Sequence, residues 1–255
     1  MNRILKYILL DILKNKFVIA YTIMLAVIGW SSFTLEDSSA KGILTLLNLI
    51  LLTVPLVSIL FAAIYIYNSA EFIELLISHP IKRKDIWLSL FGGLAGSMVI
   101  AFILGAGIPL IIYSDLNQSI LMLAIGIIIT VIFVALAMLC TIIYKDKAKG
   151  IGLTIILWIY FALLFDGILL FLMFQFSDYP IEKPMVALTA LSPIDLSRIL
   201  MLLQLDSAAL LGYTGAIFNE FFGNTKGMII SFMLLLGWIV IPLIISLKKF
   251  NQKDL

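Results

Sequence analysis
The chain has 255 residues, of which 63% are hydrophobic and 13% charged, with a mean hydropathy of +1.17. Soluble domains carry about 25% charged residues and roughly 45–50% apolar ones even with glycine counted. No soluble fold hides this much apolar surface, so the composition indicates a polytopic membrane protein, and the single cysteine, Cys140, excludes a disulfide within the chain.

The N-terminal stretch 2–16, NRILKYILLDILKNK, places Ile4, Leu5, Ile8, Leu9, Ile12 and Leu13 on one helical face, flanked by Arg3, Lys6, Lys14 and Lys16. That pattern predicts a helix lying in the membrane interface, with its basic residues toward anionic head groups. A transmembrane helix needs ~20 mostly apolar residues. Six segments qualify: 17–33, 43–67, 88–113, 120–143, 151–176 and 227–247. The first lacks a small-residue cleavage site and reads as a retained helix, not a signal peptide.

Lys and Arg concentrate in cytoplasmic segments. With the N-terminus inside, the inner segments hold Arg3, Lys6, Lys14, Lys16, Lys82, Arg83, Lys84, Lys145, Lys147, Lys149, Lys248, Lys249 and Lys253. The outer ones hold only Lys41, Lys183, Arg198 and Lys226. Both termini are therefore expected in the cytoplasm, and 177–226 outside.

The segment 71–90, EFIELLISHPIKRKDIWLSL, interrupts the apolar pattern. Residues 70–78 read as a short helix with Glu71 and Glu74 on one face. Pro80 ends it and holds His79 extended. The basic cluster Lys82, Arg83 and Lys84 also suits a plain topology signal touching lipid phosphates.

Asp166 stands mid-way along the fifth span, where an ionisable side chain costs at least ~2.5 kcal/mol on insertion scales. It is expected to face a bundle interior or a partner subunit, or to bond a neighbouring hydroxyl or backbone group. The outer segment has structure of its own. In 192–205, SPIDLSRILMLLQL, Ser192 suits an N-cap and Pro193 the first helical position, with Ile199, Leu200 and Leu203 on one face. In 206–223, Asp206 suits a second cap. Both pieces are expected on the outer membrane surface or on the bundle. Arg198, Tyr213, Phe218, Phe221 and Phe222 supply the residue types of a protein interface, although aromatic residues also settle in the lipid interface.

Catalytic chemistry finds little material. His79 and Cys140 lie on different segments and cannot build a zinc or copper cage. The ten methionines are scattered as packing filler. None of the sixteen glycines is followed by lysine, so there is no Walker A loop. The chain is not expected to be an enzyme, nor to bind a cofactor or nucleic acid.

The run Ile73-Glu74-Leu75-Leu76-Ile77-Ser78-His79-Pro80-Ile81-Lys82-Arg83-Lys84-Asp85-Ile86 resembles a segment of the ABC-2 type transporter permeases. Their pattern between the second and third spans is close to L-E-L-L-x-x-x-P-[VI]-x-R-x-x-[IL]. The family often has a glycine near the position of Glu71. Asn68-Ser69, Leu157-Trp158, Phe165-Asp166-Gly167 and Leu191-Ser192-Pro193-Ile194-Asp195-Leu196-Ser197-Arg198 are similar to the NosY-type branch, which serves nitrous oxide reductase maturation. The resemblance runs through the chain in span order.

It implies an all-α permease domain over 1–255, with a cytoplasmic coupling helix and short extracytoplasmic helices between spans five and six. Glu71, Glu74, Leu75, Leu76, Pro80 and Arg83 would contact a separate, NosF-like cytoplasmic ATPase that supplies the ATP. The permease would pair as a homodimer in the bacterial inner membrane, contact lipid, and meet a NosD-like outer protein during copper-site assembly. An ABC exporter of a small molecule, lipid or peptide with no outer partner would share every cytoplasmic feature. A secondary transporter would need more polar residues or broken helices at mid-depth, where only Asp166, Asn48 and a few hydroxyls stand.

Overall fold
The computed structural model describes residues 2–176, 182–204 and 225–252. Among these residues every regular element is helical. Six helices are long and apolar enough to cross a membrane. They are α2 (Lys16–Thr34), α3 (Ser39–Asn68), α5 (Arg83–Tyr113), α6 (Leu116–Ile143), α7 (Lys147–Gln175) and α10 (Thr225–Gln252). Four shorter helices complete the described fold: α1 (Asn2–Leu13), α4 (Ala70–Ser78), α8 (Glu182–Thr189) and α9 (Pro193–Gln204).

Local chemistry sets several boundaries. Asn15 starts α2, its side-chain oxygen accepting from Phe17 N at 2.9 Å. Ser38 starts α3 and Asp146 starts α7, each accepting a backbone N–H three residues on. These caps satisfy amides that a helix leaves without partners. Pro55 lies inside α3 and gives no amide to the carbonyl one turn earlier. At this break the Trp158 indole of α7 donates to the Leu52 carbonyl at 3.1 Å, joining the two spans.

Both α5 and α7 contain one π-helical turn, at Ile103–Gly107 and Tyr160–Leu164. Such a turn rotates the face the rest of the helix presents. In α5 it lets α2 approach closely. A Cβ on Gly105 would stand 2.7 Å from both Leu25 Cβ and the Thr22 carbonyl oxygen, so only glycine fits.

The core runs through α3, α5 and α6. More than half of the apolar stretch of each is buried, against 17% in α7 and in α10. Exposed side chains such as Ile156, Leu163 and Phe174 on α7, and Ile230, Met233 and Ile241 on α10, therefore leave two apolar flanks uncovered.

The two amphipathic helices α1 and α9 both turn their apolar faces onto protein. The apolar stripe of α1 is spent on protein. Ile8 and Ile12 are fully buried, and Ile8 packs so near Gly93 of α5 that an added Cβ would meet it at 2.5 Å. Only the opposite face, with Lys6, Tyr7 and Leu10, is open. Of the two places expected for α9, the outer membrane surface or the bundle, the structure has the bundle. Ile194, Leu196, Leu200 and Met201 are at most 1% exposed and belong to the main core, against α3, α6 and α10. Its start matches the sequence: Pro193 opens the helix, and Ser192 Oγ accepts from Asp195 N at 3.3 Å.

Candidate functional site
Chemistry-bearing side chains gather at opposite ends of the bundle, one marked by α4 and the other by α9. Helix α4 begins after a single residue, Ser69, whose N–H bonds the Tyr65 carbonyl and whose carbonyl accepts Ile73 N–H, both at 2.9 Å. His79 is extended at φ −83° and ψ 159°, as a residue before proline should be. Lys82 is extended too, and α5 starts at Arg83. The chain thus makes a fixed corner on each side of α4.

Within α4 the faces separate cleanly. Ile73 and Leu76 are 6% and 8% exposed, whereas Glu71 and Glu74 are exposed and Leu75 is 56% exposed. Of the six residues predicted to couple to an ATPase, Glu71, Glu74, Leu75 and Pro80 form a surface, and Leu76 anchors it. Arg83 is half-buried, with Nη1 3.5 Å from the Asn251 carbonyl of α10. A cavity of about 250 Å³ lies beneath, lined by residues that include Ile73, Glu74, Trp87, Lys145 and Phe250.

The floor of this end is a set of uncharged and singly charged hydrogen bonds. Trp87 of α5 stacks on Phe250 of α10 at 4.3 Å, and its indole donates to Ser246 Oγ at 3.1 Å. Tyr67 OH donates to the Tyr144 carbonyl at 2.8 Å, and Lys147 Nζ to Asn68 Oδ1 at 2.8 Å. Trp87 thus ties α5 to α10, and Tyr67 and Asn68 tie the end of α3 to the α6–α7 corner. Sequence reasoning missed Trp87 and Ser246, because 159 residues separate them and neither belongs to a motif.

At the other end, Asp166 is nine residues from the end of α7, about 14 Å at the helical rise, and so near mid-depth of a ~30 Å hydrocarbon layer. It is not alone. Arg198 of α9 donates through Nη1 to Asp166 Oδ2 at 2.5 Å and to Asp195 Oδ1 at 3.4 Å. Side-chain exposure is 43% for Asp166, 27% for Arg198 and 5% for Asp195. Burial pushes the Asp195 carboxyl up to about 6, helped by the neighbouring Asp166 and opposed by Ser192 and Arg198.

The three charges open onto a cavity of about 220 Å³ whose other walls include Leu169, Met173, Met185 and Thr189. Arg198 was expected on a docking surface for an outer protein. Its side chain is 27% exposed and pairs with Asp166, the acid expected to face a bundle interior or a partner subunit or to bond a neighbouring hydroxyl or backbone group. Asp195 escaped the sequence reading, although its i,i+3 spacing from Arg198 in a helix opening at Pro193 was the available signal. Tyr213, Phe218, Phe221 and Phe222 lie outside the described residues.

Six long apolar helices and a short surface helix mark a multi-pass membrane protein. No family model matches the chain. It is similar to the probable ABC transporter permease protein NosY of Pseudomonas aeruginosa, with 26% identity over 222 residues, or 79% of this chain and 81% of that one. The similarity supports an ABC transporter permease subunit of the NosY type.

Proposed function
We propose that the chain is the membrane half of an ATP-driven complex, with α4 as the surface that receives force from a cytoplasmic, NosF-like ATPase. The observation that carries this reading is the split of α4. Glu71, Glu74 and Leu75 are open, while Ile73 and Leu76 fix the helix to the bundle. In this reading the α4 end is cytoplasmic, consistent with the Lys and Arg clusters at 82–84, 145–149 and 248–249 that flank it. Both termini then lie inside, in the bacterial inner membrane. One permease domain spans 1–255, and two copies pair to give the complex its two halves.

By the resemblance to NosY, the work done is copper-site maturation of nitrous oxide reductase, with a NosD-like protein outside. The inward packing of α9 favours a second reading, an exporter of a small molecule, lipid or peptide without an outer partner. It removes the described part of the surface such a partner would grip.

The test is co-purification from native membranes combined with an ATPase assay. Glu74→Lys is expected to leave insertion intact and to lose the ATPase, or to uncouple its hydrolysis. Unchanged binding with unchanged coupled activity would overturn the role of α4. A large outer protein recovered with the ATPase supports maturation, and the ATPase alone supports export.

A further inference from the structure
The charges at the α9 end do not balance. Asp166 and Asp195 present two carboxylates to one guanidinium, that of Arg198. Asp195 Oδ2 is buried and receives no hydrogen bond. Ser197 Oγ and Arg198 Nε are buried beside it in the sequence, also without partners. An ionised oxygen shut away from water without a donor is strongly disfavoured, and a second carboxylate nearby makes ionisation worse. Arg198 Nη1 touches both acids, Asp166 Oδ2 at 2.5 Å and Asp195 Oδ1 at 3.4 Å, so a single cation serves two carboxyl groups. One proton supplies both the missing donor and the missing charge.

We infer that Asp195 is a proton-binding site, in which one proton taken from water sits on its buried carboxyl group beside Arg198 and Asp166, at the joint of α9 and the second half of α7. No covalent bond other than the O–H forms, and Arg198 keeps its own protons. With the proton bound, the three groups sum to zero charge. Without it, one negative charge is left over in the cavity and the two carboxylates repel across the joint. The proton therefore acts as a clamp between α9 and α7.

The charges that act on Asp195 are Asp166 from α7 and Arg198 from its own helix. Among the elements packed on α9, the start of α3 adds Lys41, the start of α10 adds Lys226, and α8 adds Glu182 and Lys183 in sequence. α6 adds no ionisable residue except Cys140, near its far end. Among the described residues, Glu36 and Asp37 on the α2–α3 turn and Asp115 on the α5–α6 turn also lie at this end.

The direction with pH follows. The folded chain holds this proton to a higher pH than the unfolded chain does, so the contribution of Asp195 to folded stability is full below the ordinary aspartate value of 3.8. It declines as pH rises toward about 6 and is flat above. The clamp is closed in acid and open in alkali.

Difference infrared spectroscopy of the purified full chain, titrated in detergent, reads the protonated carboxyl directly. A carboxylic-acid C=O band with a midpoint near pH 6 is expected in the wild type and is expected to be absent in Asp195→Asn. In Asp166→Asn the band should remain, with its midpoint lowered because the repelling carboxylate has gone. Should Asp195→Asn fail to fold, the Asp166→Asn titration decides alone. A wild-type band titrating only in the ordinary aspartate range would overturn the site. So would a band that survives Asp195→Asn, or a midpoint that does not move in Asp166→Asn.

Discussion
At the α4 end, Glu71 and Glu74 stand in the open, and the joints beneath them are mostly neutral, Trp87 on Ser246 and Tyr67 on the Tyr144 carbonyl. At the α9 end the charges turn inward: Asp195 is 5% exposed, and Arg198 is divided between two acids of the same chain. The difference separates two uses of charge. Exposed carboxylates on an anchored helix cost the free protein almost nothing and are ready for another molecule. Buried ones are already committed, and they hold two elements of one chain together.

The comparison can be broken first where packing is heaviest. Trp87→Ala removes a fully buried ring, its stack on Phe250 and its bond to Ser246, and is expected to cost about 3–4 kcal/mol in thermal unfolding. Arg198→Leu strands two acids. A fully buried pair broken this way costs roughly 3–5 kcal/mol, but Arg198 and Asp166 are 27% and 43% exposed, so about 2 kcal/mol is expected, again by thermal unfolding. Ser192→Ala removes the N-cap of α9 and is expected to cost about 1 kcal/mol, seen as earlier hydrogen exchange in 193–204. Glu74→Lys touches only surface and is expected to stay within about 0.5 kcal/mol of the wild type. A large loss of stability there would show that Glu74 serves the fold and not a partner.

Much of this architecture was legible in the chain. Length and hydropathy alone place the six spans, since each apolar run is long enough to cross a bilayer. Pro80 marks the end of α4, and Ser192-Pro193 marks the start of α9, because caps and prolines act on their immediate neighbours. What was not legible depends on rotation about the helix axis. A span that is apolar on every side carries no periodicity to tell which face turns inward. The pairing of Asp166 with Arg198 and of Trp87 with Ser246 could not be read for that reason. The π-turns at Ile103–Gly107 and Tyr160–Leu164 shift those faces again, with no residue type that announces them. The candidate site divides in the same way: the open residues of α4 follow from local pattern, while the Asp166–Arg198–Asp195 cluster follows only from packing.

The central claim, that α4 is a docking surface for an ATPase, is tested most directly by site-specific photo-crosslinking in whole cells. A probe replacing the exposed Leu75 is expected to give one dominant adduct with a cytoplasmic ATP-binding protein. A probe at the buried neighbour Leu76 is expected to give none with that protein. Equal adducts from both positions, or lipid alone from Leu75, would contradict the account.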